Sequence, residues 1–116
     1  MILTLTLLFI KHFLVDWVFQ TESEIQHKGT YLDSRGMTHS IKHGVGTLFC
    51  LSILYPEFSI LFGFLDGFIH YHIDFAKQNL TAKLGLSPKD KMFWNLIGFD
   101  QLLHSITYLG FFLTLK

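Results

Sequence analysis

The sequence predicts an all-α fold, an integral membrane four-helix bundle with antiparallel neighbours, in a single domain over residues 1–116. Three observations carry this expectation. Half of the residues are hydrophobic and only 16% are charged, against about a quarter charged in ordinary soluble domains. Stretches such as "TLFCLSILY" and "YLGFFLTL" are apolar all round, whereas a helix on the surface of a soluble bundle needs a polar outer face. The apolar stretches are separated by "TESEIQHKGTYLDSRGMT" and "NLTAKLGLSPKDKM", polar segments that contain the turn formers Gly and Pro.

Four helical spans follow, at about residues 2–20, 39–55, 58–78 and 93–115. The first opens with "MILTLTLLFI", which has no basic residue ahead of it and no small-x-small cleavage site behind it. It is expected to be a retained span rather than a signal peptide. The second and third are joined by the short "YPEF", so they are expected to form an antiparallel hairpin. Gly63 and Gly67 in the third form a small-xxx-small pattern, the usual mark of close helix packing. None of the four is an unbroken run of ~20 apolar residues, because His, Asp, Lys or Gln interrupts each one.

Net charge is zero, which gives no reason to expect a nucleic-acid partner. The single Cys50 excludes an internal disulfide and reads as packing. Lys28, Arg35, Lys42, Lys77, Lys83, Lys89 and Lys91 lie in or beside the two polar loops, and only Lys116 lies at the other side. The positive-inside rule then expects a multi-pass protein of the cytoplasmic (inner) membrane, with residues 21–38 and 79–92 cytoplasmic and both termini outside. The expected partners are the lipid bilayer and, as a candidate, a second copy of the chain.

The interruptions are not scattered. "HFLVD" gives His12 and Asp16, "HSIKH" gives His39 and His43, "HYHID" gives His70 and Asp74, and "DQLLH" gives Asp100 and His104. Each pair is spaced i, i+4 and projects from one helix face, where two side chains can share an ion. All four pairs fall toward the end of the bundle that carries the polar loops. One such pair alone is more often a helix-surface hydrogen bond. Four at one depth, within spans where charge is costly, point to a functional centre. Imidazole with carboxylate suits Zn, Mn or Fe better than Ca or Mg. Counting Asp66, which stands two turns from Asp74, nine candidate ligands exceed what one ion uses, so two divalent ions are expected. Asp66 or Asp100 would then be free to accept a proton from bound water. Arg35, Lys42 and Lys11 are expected to flank the centre and receive an anionic group. His72 points away from it, and Gln20 and Gln101 lie beside it.

Arg35, Gly36, Thr38, His39 and Ser40, with the later His70-x-x-x-Asp74, resemble the Arg-Gly-x-Thr-His-Ser and His-x-x-x-Asp motifs of the membrane-bound metal-dependent hydrolases. That resemblance implies a metal-bound hydrolytic centre containing His39, His70 and Asp74. A second resemblance covers nearly the whole chain. "KHFLVDWVFQTE", "HSIKH", "HYHID" and "FDQLLH" are similar to the blocks of a small uncharacterised membrane-protein family of bacteria and phages, which implies no particular reaction. The expected function is a metal-dependent hydrolase acting on an anionic, phosphoester-like substrate at the cytoplasmic face. Two alternatives use the same residues: a metal- or ion-binding or ion-translocating protein, and a structural or regulatory membrane protein clamped by metal. The apolar sequence beyond Asp66 argues against a simple channel.

Overall fold

The computed structural model describes residues 2–115, so Lys116 lies outside the described residues. Five helices appear in the order α1 (Ile2–Phe13), α2 (Glu22–His27), α3 (Ser34–Ser52), α4 (Pro56–Lys83) and α5 (Lys91–Thr114), and α1 runs on into a π-helical turn, Leu14–Val18. There is no strand among the described residues. The fold is all-helical, as expected, with α4 running on to Lys83 rather than residue 78 and two further differences of boundary. The loop expected over residues 21–38 contains α2, and α3 begins at Ser34 rather than residue 39.

Local chemistry explains both differences. Thr21 and Glu24 form a capping box, in which Thr21 Oγ1 accepts from the Glu24 amide at 3.3 Å and Glu24 Oε2 accepts from the Thr21 amide at 2.7 Å. This satisfies the first donors of α2 reciprocally. Asp33 caps α3 by accepting from the Arg35 amide at 2.9 Å, so the helix starts five residues before the histidine run. Between the two caps, Leu32 is held in the left-handed region at φ 61°, and its amide donates to the Tyr71 hydroxyl at 2.7 Å. That conformation costs about 1–2 kcal/mol in a residue with a Cβ, and the bond to α4 holds it there.

α4 is the spine. Pro56 occupies its first turn, where the missing N–H is no loss. Its 28 residues reach nearly the full 43 Å length of the molecule. It ends in a Schellman motif, with Leu86 N–H donating to Thr81 O and Gly85 N–H to Ala82 O, both at 3.0 Å. Gly85 takes φ +61° there, the conformation that the motif requires of its C′ residue. α3 and α4 form the expected hairpin and pack backbone to backbone. A Cβ placed on Gly44 would stand 2.7 Å from Gly63 O, and one on Gly63 would stand 2.9 Å from Gly44 O.

The burial pattern is inverted relative to a soluble bundle. Among the described residues seven hydrophobic side chains are buried and fifteen polar or charged ones are, while twenty-nine large hydrophobics are exposed. The apolar core, Leu8, Leu51, Phe62, Tyr108 and Phe111, lies toward the end where α3 meets α4. Most of the buried polar groups lie toward the other end, with Thr4 and Ser59 at the α3–α4 end. Four spans were expected; among the described residues one helix, Lys91–Thr114, is by length and composition long and apolar enough to cross a membrane.

Candidate metal centre

The four helix pairs read from the sequence meet at one level of the bundle. His12 comes from α1 and Asp16 from the π-helical turn, His39 and His43 from α3, His70 and Asp74 from α4, Asp100 and His104 from α5. All of these except Asp16 are buried, and Asp16 is only partly exposed. A π turn inserts one extra residue into the helix and is frequent at functional sites. Here it carries Asp16 on the last turn of α1, where the Phe19 amide reaches back to Leu14 O at 2.8 Å.

Asp16 is the hub of a first group. Its Oδ1 lies 3.0 Å from His39 Nε2, 3.0 Å from His43 Nε2 and 3.6 Å from His70 Nε2. His39 Nε2 and His70 Nε2 face each other at 3.2 Å. Ligands held by one tetrahedral ion at ~2.0–2.1 Å stand roughly 3.3 Å apart, so one carboxylate oxygen and three imidazole nitrogens have the spacing of a ligand set. Asp16, His39, His43 and His70 could hold a metal ion, as could a second group of His70, Asp74 and His104. In the second group Asp74 Oδ1 lies 3.4 Å from His104 Nε2, and Asp100 Oδ1, outside the group, lies equally far from that nitrogen. His104 Nε2 and Asp100 Oδ1 are buried without a hydrogen-bond partner, a costly arrangement in a protein interior. Asp74 adjoins both groups, since its Oδ2 lies 3.4 Å from His70 Nε2 and 3.5 Å from His39 Nε2.

The rings are ordered by stacking and by their outer neighbours. His43, His70 and His104 stack in series, with centroids 3.5 and 3.9 Å apart. His12 belongs to neither group. Its Nε2 lies 3.1 Å from Asp16 Oδ2 and 3.0 Å from Gln101 Oε1, and its Nδ1 lies 3.0 Å from the Tyr108 hydroxyl. It is placed to orient Asp16, and Gln101, which donates to Asp16 Oδ2 at 3.2 Å, acts on the same carboxylate. His72 lies off the cluster as expected, against Phe68 O at 2.8 Å.

Besides His12, four residues stand in surroundings other than those expected of them. Lys11, expected at the rim, is buried, and its ammonium donates to Asp66 Oδ2 at 2.6 Å and Tyr108 Oη at 2.8 Å. Gly46 makes that possible, because a Cβ there would stand 2.7 Å from Lys11 Cγ. Asp66, expected as a proton acceptor or ninth ligand, is committed to Lys11 and to Thr47, whose hydroxyl donates to it at 2.6 Å. It lies one turn below His70 and is in neither ligand group. Arg35 folds back onto its own cap, with both Asp33 oxygens within 3.0 Å of the guanidinium. This pairing holds the Asp33 carboxyl well below the usual carboxylate range. Lys42 is taken up by Glu24 at 2.5 Å and Phe19 O at 3.0 Å. Each of the three cations is already paired with a carboxylate in this arrangement.

Sequence reasoning missed four contributors. Lys28 and Lys77 were read only as loop charges, yet Lys28 Nζ lies 2.8 Å from Asp74 Oδ2 and Lys77 Nζ 3.4 Å from Asp100 Oδ2. Thr47 and Tyr108 were not singled out. Both continue the four-residue ladders by one step, as His39–His43–Thr47 and Asp100–His104–Tyr108, and that spacing was a usable signal.

Fold and site together define a class, a helical bundle with a polar His/Asp interior able to hold metal. Residues 4–115 match the family described as "Protein of unknown function (DUF3307)", and the chain belongs to that family. No curated protein and no solved structure matches it.

Proposed function

We propose that the chain is an integral membrane metal-binding protein that hydrolyses an anionic phosphoester at the cytoplasmic face. The observation that carries this reading is the convergence of Asp16 Oδ1 with three imidazole Nε2 atoms from α3 and α4 at 3.0–3.6 Å. The inverted burial supports the bilayer, because twenty-nine large hydrophobics face outward over a polar interior. Exposed apolar area on that scale marks a membrane or interaction surface. A four-span arrangement would put the polar segments, with Lys83, Lys89 and Lys91, on the cytoplasmic side under the positive-inside rule.

Divalent ions there would supply an acidified water and polarise a phosphoryl oxygen. Two are proposed, one that the Asp16–His39–His43 side would hold and one that the Asp74–His104 side would hold, with His70 common to the two groups; Zn, Mn and Fe suit the donors. Water oxygen bonds to phosphorus, the phosphorus–alcohol bond breaks, and the water proton passes to Asp100 and leaves on the alcohol. Asp100 suits the role because its Oδ1 makes no hydrogen bond and it stands outside both ligand groups. Charge also favours an anionic substrate. Three carboxylates of the cluster meet only two ammonium groups, Lys28 and Lys77. Two divalent ions would leave the centre strongly positive until an anion binds.

Elemental analysis of the detergent-purified chain, paired with hydrolysis of bis-p-nitrophenyl phosphate, tests the reading. Stoichiometric transition metal and turnover, both lost in His39→Ala, are expected. A chain without bound metal overturns it. One observation favours a second reading, in which the cluster is a structural clamp. Lys28 and Lys77 already pair with two of its carboxylates, so ion pairs alone could tie the helices together.

A further inference from the structure

Between α4 and α5 lies a groove of about 410 Å³, within the ~300–1,000 Å³ of small-molecule sites. Its walls are apolar, with Ile69, Ile73, Leu96 and Leu103 along it, and it carries two charged side chains, Lys77 and Asp100. These stand together, Lys77 Nζ lying 3.4 Å from Asp100 Oδ2. The other oxygen of Asp100, Oδ1, faces His104 Nε2 at 3.4 Å, and both atoms are buried without hydrogen-bond partners. An apolar trough therefore ends on a cation and on the unsatisfied edge of the His/Asp cluster. The larger groove on the other side of α4, between α3 and α4, has a volume of about 530 Å³ and no Asp, Glu, Lys or Arg in its lining. Of these two grooves, the α4–α5 one joins apolar wall to the chemistry.

A water-soluble phosphate would gain nothing from those walls, and a neutral apolar molecule would gain nothing from Lys77. We infer that the α4–α5 groove holds an acyl chain of a phosphoester lipid, with the lipid phosphate at Lys77, beside Asp100 and the His70–Asp74–His104 group. This rests on the hydrolase reading and names its substrate class. Lateral access from the bilayer would bring such a lipid to the groove without passing Arg35 and Lys42, which pair with Asp33 and Glu24.

The test uses the full chain in nanodiscs and a lysophosphatidic acid bearing a photoreactive diazirine in its acyl chain. Labelling is expected at Ile69, Ile73, Leu96 or Leu103. Ala76, exposed and lining the groove, provides the blocking variant. Ala76→Trp should cut labelling about tenfold, equivalent to ~1.4 kcal/mol, with metal content unchanged. Lys77→Met should weaken labelling by this probe and not by a diazirine monoacylglycerol, and excess glycerol 3-phosphate should not compete. Labels spread round the bundle, or labelling unchanged in Ala76→Trp, overturn the inference. Turnover of glycerol 3-phosphate without groove labelling overturns it too, while leaving the hydrolase reading intact. Groove labelling without phosphate release upholds lipid binding there and overturns hydrolysis instead.

Discussion

Lys28 Nζ lies 2.8 Å from Asp74 Oδ2, with both side chains at most 7% exposed. A lysine from the segment between α2 and α3 thus enters the cluster and neutralises the carboxylate that adjoins both ligand groups. It occupies a place where a metal ion would also draw on Asp74, so ammonium and metal compete for one oxygen.

Lys28→Met is therefore expected to tighten metal binding, by about tenfold if one close charge–charge contact of ~1.4 kcal/mol is at stake. It should also destabilise the metal-free protein, because Asp74 is left buried without its cation. Competition with a fluorescent zinc chelator and thermal scans with and without metal read the two effects. Unchanged affinity would show that Lys28 and the ion do not share Asp74.

His70→Ala and His104→Ala should each lose bound metal, whereas His72→Ala should not. His70 belongs to both ligand groups and His104 to the second, while His72 bonds Phe68 O on another face of α4. Metal content after size-exclusion chromatography decides this, and equal loss from His72→Ala would contradict the ligand assignment.

How far the sequence revealed these features depends on whether a signal was periodic. The i, i+4 pairs were legible because a helix maps that spacing onto one face, and a single depth for four helices followed from their order. The partner of each lysine was not legible. Lys11 was read as a rim cation because nothing in its spacing announces Gly46, thirty-five residues later, whose missing Cβ opens the room that its stem fills. Lys28 reaches Asp74 only because capping at Thr21 and Asp33 folds the polar loop back over the bundle. The π turn at Asp16 was likewise invisible, since i, i+4 counting assumes an unbroken α-helix.

The Lys11–Asp66 pair should be structural. Lys11→Met leaves Asp66 charged and buried beside Thr47, a change that typically costs about 3–5 kcal/mol. Removing both charges in Lys11→Met/Asp66→Leu should recover most of that loss. Chemical denaturation in mild detergent measures both variants. A double variant as unstable as the single one would mean that Asp66 does more than balance Lys11.

Topology can be read directly. Single cysteines at Ser87 and Ser23, in a chain carrying Cys50→Ala, should be blocked by a membrane-impermeant maleimide only after the cells are opened. The expectation rests on loop charge. Reaction at Ser87 in intact cells would invert the orientation and put the cluster on the outer face.

The clasp between α2 and α3 should open in acid. Burial pushes the Glu24 carboxyl up, but the Lys42 hydrogen bond and the Thr21 amide outweigh it and hold it below its ordinary 4.5. A carboxyl depressed in the folded state adds stability that is fully present above its unfolded value and disappears as pH falls through the folded one. Hydrogen exchange of the α2 amides should therefore be slow at pH 7 and quicken, relative to the intrinsic rate, once the pH falls below about 4.5. Glu24→Gln should show the fast behaviour at pH 7 already, because it removes the charge that Lys42 grips at 2.5 Å. Because α2 ends at His27, next to Lys28, the same opening should withdraw the ammonium from Asp74. Protection of α2 that does not change with pH would show that Thr21 capping alone holds the clasp.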